Sequence, residues 1–153
     1  MGLFDSLRPA PRSHPEFGNL EYARGHWHGT IALDGQRIAL HLPGSRSGPD
    51  SEGLQTAEQA PRWWALVKRA VEADLFDHYS TGREGGIDDV AGLAAAGDVW
   101  THVKISSLQV KPNRALNEIQ VAIRAAWDDE HTLGALIRDG ALVELNGSIL
   151  EPR

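Results

Sequence analysis

The chain has 153 residues, 41% of them hydrophobic and 24% charged, and its 15 basic against 21 acidic side chains give a net charge of −6 at pH 7. That length fits one domain with a core of its own, while the acidic balance and the lack of a Lys/Arg run argue against dedicated binding to nucleic acid or to anionic membrane surfaces. Zero cysteines exclude a disulfide framework, thiol catalysis and thiolate zinc sites. No apolar run approaches the roughly 18 residues of a membrane span and no signal-peptide core opens the chain, so a cytoplasmic location is expected.

Residues 1–16, MGLFDSLRPAPRSHPE, carry three prolines and little periodicity, and read as a mobile arm ahead of a single α+β domain over 17–153. Met1, Gly2 and Ser6 match the myristoylation pattern formally. An excess of Arg over Lys fits GC-rich bacterial coding instead, and Leu3, Phe4 and Leu7 form a short apolar patch.

From Asn19 to Leu42 the sequence reads as a strand, a tight turn at Arg24-Gly25, and a hairpin about Asp34-Gly35, a dipeptide that tolerates the two positive φ angles of a type I′ turn. If Leu33 faces Gln36, then Ile31 meets Ile38, Trp27 meets Leu42, and His28 meets His41. One face then carries Trp27, Ile31, Leu33, Ile38, Leu40 and Leu42, and the other carries His28, Thr30, Arg37 and His41.

After a loop at 43–53, Leu54, Ala57, Trp64, Val67, Val71, Leu75 and Tyr79 recur at helical spacing and predict a helix over about 51–80, broken near Pro61. Trp63 and Trp64 cannot both face inward on it. The stretch 80–98 is rich in Gly and Asp, with a short helix expected at 87–95. Four strands are expected beyond it, the first with a bulge at Ser106-Ser107 and the second alternating strictly from Asn117 to Trp127. The last two form a hairpin about Asp139-Gly140 that puts Ile137 opposite Leu142 and Leu136 opposite Val143. Both faces of that hairpin are apolar, which predicts a central place in the sheet. The expected architecture is α+β: a twisted antiparallel sheet of six to seven strands in meander hairpins, with one long kinked helical segment on one face.

Two clusters carry candidate chemistry. His26, His28 and His41 would project together from the face of the first hairpin away from the core, where three imidazoles could hold a divalent metal with a fourth position open to water. The run Trp127-Asp128-Asp129-Glu130-His131 places carboxylates beside an imidazole, the residue types of general acid/base chemistry and also those that solvate a chain reversal. No nucleophile elbow, phosphate loop, dinucleotide fingerprint or zinc-protease motif accompanies either cluster.

Phe17-Gly18-Asn19-Leu20-Glu21-Tyr22 followed by Trp27-His28-Gly29 resembles the F-G-x-L opening and W-x-G strand of a group of small bacterial domains of unknown function. The run Trp127 to His131, with Gly134 and the Asp139-Gly140 hairpin, is similar to the W-x-x-E-H-G segment of the same group. The resemblance implies an antiparallel α+β domain, standalone, bacterial and cytoplasmic, and it brings no activity with it.

The reading that follows is a non-enzymatic protein-binding module, of the immunity type, whose partner is another protein or a second copy of itself. Asp128, Asp129, Glu130, His131 and Trp63 are the candidate contacts. No cofactor is expected on this reading. The alternative is a metal-binding protein or metal-dependent hydrolase that uses His26, His28 and His41.

Overall fold

A computed structural model describes residues 8–84, 92–114 and 117–152, with Arg83 and Glu84 as backbone only. The myristoylation pattern and the apolar patch at Leu3, Phe4 and Leu7 lie outside the described residues.

Each of three short reversals is made by a residue with positive φ followed by Gly: Arg24-Gly25 (53° and 82°), Asp34-Gly35 (50° and 73°) and Asp139-Gly140 (49° and 81°). Positive φ at both centres matches the right-handed twist of the flanking strands, so these dipeptides fix the pairing. The first turn joins β2 (Gly18–Ala23) to β3 (His26–Leu33), the second joins β3 to β4 (Gln36–Leu42), and the third joins β9 (Asp128–Arg138) to β10 (Ala141–Asn146). Ile31 faces Ile38, Trp27 faces Leu42 and His28 faces His41, the register that the Asp-Gly turn predicts.

Two further strands complete the C-terminal half, β7 (Val103–Val110) and β8 (Glu118–Ala125), and β1 (Arg12–His14) lies against β2. The described residues thus form an eight-stranded sheet in the order β1-β2-β3-β4-β7-β8-β9-β10, with a small β5 (Gly44–Ser45) and β6 (Gly48–Pro49) pair beside it. This exceeds the six to seven strands expected, in part because Arg12–His14, expected in a mobile arm, pairs with Gly18, Asn19 and Leu20. The sheet is antiparallel except where β4 and β7 run parallel.

The helix α1 (Ser51–Glu84) covers one face. Ala57, Ala60, Trp64, Val67, Val71, Leu75 and Tyr79 are buried on a single stripe against Leu40, Leu108, Val121, Ile123, Ala135 and Ile137 of the sheet. The break expected near Pro61 does not occur. Proline in a helix interior costs about 3 kcal/mol, but Pro61 faces solvent and the stripe on both sides of it packs into one core. Pro61→Ala is therefore expected to raise stability, by about 1 kcal/mol, as a higher urea midpoint at unchanged slope.

The sheet curls around this helix. At one helical turn the tip of the β3–β4 hairpin reaches it from one side, with Asp34 Oδ2 accepting from Trp64 Nε1 (2.7 Å) and pairing with Lys68 Nζ (2.9 Å). From the other side comes the tip of the β9–β10 hairpin, where a Cβ on Gly140 would lie 3.3 Å from Trp63. The adjacent tryptophans thus divide as their 100° separation requires, Trp64 in the core and Trp63 half-buried at its edge.

Of the short helix expected at 87–95, residues 87–91 lie outside the described residues and 92–95 are not helical. A 3-10 helix follows instead (Ala96–Thr101), capped by Asp98 Oδ2, which accepts the backbone N–H of Ala94 and Ala95. Trp100 Nε1 ties it to Glu72 on the helix at 2.7 Å.

The β9–β10 hairpin differs from its predicted form. Ile137 does face Leu142, but a bulge at Val143 puts Leu136 opposite Glu144, and the hairpin ends the sheet with β10 as its edge. The two-sided burial of β9 has another source. The C-terminal segment crosses the sheet face away from the helix, where Ile149 N–H donates to the Thr132 carbonyl (2.8 Å) and Ile149 packs over Gly134. The bulge in β7 falls at Ser106, as expected.

Candidate functional sites

The acidic run lies where β8 turns into β9. Trp127 is buried and its indole N–H donates to His78 Nδ1 on the helix at 2.9 Å. Because an indole nitrogen only donates, His78 Nδ1 must be the acceptor, which leaves His78 neutral with its proton on Nε2. That nitrogen faces Asp128 Oδ2 at 3.9 Å. Asp128 Oδ1 lies 2.9 Å from His131 Nδ1 and also accepts the His131 backbone N–H at 3.2 Å. Asp128, with 15% of its side chain exposed, is thereby bonded to His131 and has the His78 ring close by without a hydrogen bond, and Asp129 and Glu130 project into solvent. Neither of these two carboxylates has a hydrogen bond or ion pair among the described residues.

A carboxylate on Nδ1 is the arrangement that orients a histidine to act as a base through Nε2. Among the described residues, however, no hydroxyl is hydrogen-bonded to His131, so the pair lacks the nucleophile that acyl-transfer chemistry needs. A shallow groove of about 560 Å³ runs beside the tip, and Lys104 and Arg124 line it together with Asp128, Glu130 and His131.

Trp63 is not part of this site. It borders a separate groove with Glu58, Asn117 and Asp139 at the opposite end of β9, roughly 30 Å away along an 11-residue strand.

The three histidines do come together, although not as expected. The rings of His28 and His41 meet edge to face at 4.9 Å between centroids, and those of His26 and His28 at 6.4 Å. His28 Nε2 is bonded to the Ala23 carbonyl (2.9 Å) and His26 Nδ1 lies 3.3 Å from that of Arg24, so each commits one ring nitrogen to the backbone. Among the described residues no group of three His, Asp or Glu side chains has the arrangement to hold a metal ion.

His41, predicted to project into solvent, is only 7% exposed. The C-terminal segment accounts for part of the difference. Glu151 is anchored on the same face by Ser106 Oγ (2.9 Å), Ser107 Oγ (3.3 Å) and Arg124 Nη2 (3.4 Å), near enough to act on His41 electrostatically. Burial, reinforced by His28 and His26 and opposed by Glu151, pushes the His41 pKa down to about 4. Its Nδ1 is buried without a hydrogen-bond partner among the described residues. His41 is therefore a neutral ring at pH 7.

The sequence did not point to His78, Ser106, Ser107 or Glu151. Each reaches its partner across 16 to 49 residues of chain, and no local pattern encodes such contacts.

Residues 16–149 match the family described as a domain of unknown function, DUF6985. The match spans most of the chain, which belongs to this family. No curated protein and no solved structure matches it. Among the described residues, no helix is long and apolar enough to cross a membrane.

Proposed function

We propose that the chain is a non-enzymatic protein-binding module, of the immunity or partner-protein type, that offers the β8–β9 tip to a basic surface on another protein. The observation carrying this reading is the pair of exposed carboxylates, Asp129 and Glu130, which lack partners among the described residues. They stand on a tip made rigid by the Trp127–His78 and Asp128–His131 hydrogen bonds. Fixed, unneutralised charge at an edge favours steered association with a partner of opposite sign. The metal-dependent alternative has weaker support, since His26, His28 and His41 form no three-ligand group.

The test begins with the tagged chain as bait in a lysate of its source cells, followed by titration of the captured partner. Asp129→Lys with Glu130→Lys is expected to weaken binding about tenfold at low salt, mainly through the association rate, with the difference shrinking as salt rises. Equal affinity of the variant and the parent chain would remove the tip from the interface. Failure to capture any stoichiometric partner would count against the module itself.

A further inference from the structure

At the other end of the sheet, a cleft of about 500 Å³ is lined by Arg8, Arg24 and Arg46, together with Glu21, Tyr22 and His28. Three guanidinium-bearing residues converge here from separate segments of a chain whose net charge is −6. Among the described residues, none of the three makes an ion pair.

Two features indicate that this convergence is built. Arg24 occupies the first position of a type I′ turn at φ 53°. Left-handed backbone there favours Gly, Asn or Asp, and the two equivalent turns do carry Asp, at Asp34 and Asp139. Arginine is less favourable there than the Asp of the two equivalent turns, and strained backbone of this kind clusters at binding sites. Arg46, in turn, sits in the reversal between β5 and β6, whose backbone is pinned on both sides. Trp27 Nε1 donates to the Ser45 carbonyl at 2.8 Å, and Arg12, lying over the Trp27 ring, donates to the Ser47 carbonyl.

We infer that this cleft binds the phosphate of a phosphomonoester. Three guanidiniums opposed by Glu21 leave two positive charges, the complement of a phosphomonoester dianion, and guanidinium forks match phosphate oxygens bidentately. The half-buried Tyr22 ring, tilted against Trp27 at 5.6 Å, offers an apolar wall for the group the phosphate carries. This site is independent of the acidic tip and of the reading built on it.

The test is titration of the full chain at low salt with inorganic phosphate, a nucleoside 5′-monophosphate and the corresponding uncharged nucleoside. Calorimetry gives the affinity, and backbone amide shifts locate the site. Both phosphates are expected to bind with dissociation constants of millimolar or tighter, to move the amides of residues 22–25 and 45–47, and to lose affinity as salt rises; the nucleoside is not. A nucleotide that binds more tightly than phosphate assigns the Tyr22 wall to its base. Arg24→Gly keeps the turn, since Gly accepts positive φ freely, and Arg46→Ala removes the second guanidinium. Each is expected to weaken phosphate binding about tenfold, whereas Arg69→Ala, on the exposed face of the helix, leaves it unchanged. No binding at millimolar phosphate, or binding indifferent to both cleft variants, would overturn the inference.

Discussion

Gly29→Ala is expected to destabilise the protein by about 2 to 3 kcal/mol, lowering the thermal midpoint by roughly 5 to 10 °C. A Cβ at this position would stand 2.5 Å from Leu20 Cδ2 and 2.9 Å from the Phe17 carbonyl oxygen. The leucine could rotate away, but the carbonyl cannot, because it accepts the Thr30 N–H at 3.1 Å and so joins the chain before β2 to β3. Phe17 and Leu20 are almost wholly buried, so moving that segment outward also opens the core. Gly97→Ala is the control: its Cβ would meet nothing nearer than Glu72 at 3.8 Å, and its midpoint should stay within about 1 °C of the parent's. Differential scanning calorimetry on both variants makes the comparison, and an unshifted midpoint for Gly29→Ala would mean that the Phe17 segment gives way without cost.

The second large effect is one of pH. In the folded protein His41 titrates near 4, whereas an unfolded histidine titrates near its ordinary 6.5. Between those values the unfolded chain binds a proton that the native chain refuses, so stability falls as pH drops from about 6.5 to about 4 and the loss then levels off. The shift corresponds to about 3 kcal/mol. His41→Leu fills the same buried position without a titrating group, and its stability should fall less over this window. Urea midpoints at about pH 7 and about pH 4.5 measure the difference directly. If parent and variant lose the same stability on acidification, the proton is taken up elsewhere.

Much of the local architecture was legible because local chemistry fixes it. The Asp34-Gly35 turn determined every pairing of β3 with β4, and the apolar stripe from Ala57 to Tyr79 identified the face of the helix that packs on the sheet. The segments that stood out at the N-terminus prove to be packing: Phe17, Leu20 and Gly29 form one close contact. What the sequence concealed depends on chain segments far apart. The apolar faces of β9 reported burial but not position in the sheet, since it is Ile149 that covers Gly134. His41 alternates like a solvated residue, and nothing in its hairpin reveals that Glu151 will be anchored on the same face. The Asp128–His131 pair could be guessed from adjacency, but its second imidazole, His78, arrives from the helix 50 residues earlier.

The parallel β4–β7 junction has a consequence for how the molecule assembles. Strands β1 to β4 form one antiparallel meander and β7 to β10 another, each of strands separated by only a few residues of chain, and among the described residues the two halves of the sheet are joined through Ala39–Ser107, Leu40–Leu108 and His41–Gln109. Bringing those strands together closes a loop of about 68 residues, at an entropic cost on the order of 4 kcal/mol that no hairpin in either half incurs. The search for the native topology is therefore concentrated in one event, the docking of two locally determined halves around a helix that contacts both. Cooperativity, on this view, is conferred by the centre of the sheet, and the edges inherit it.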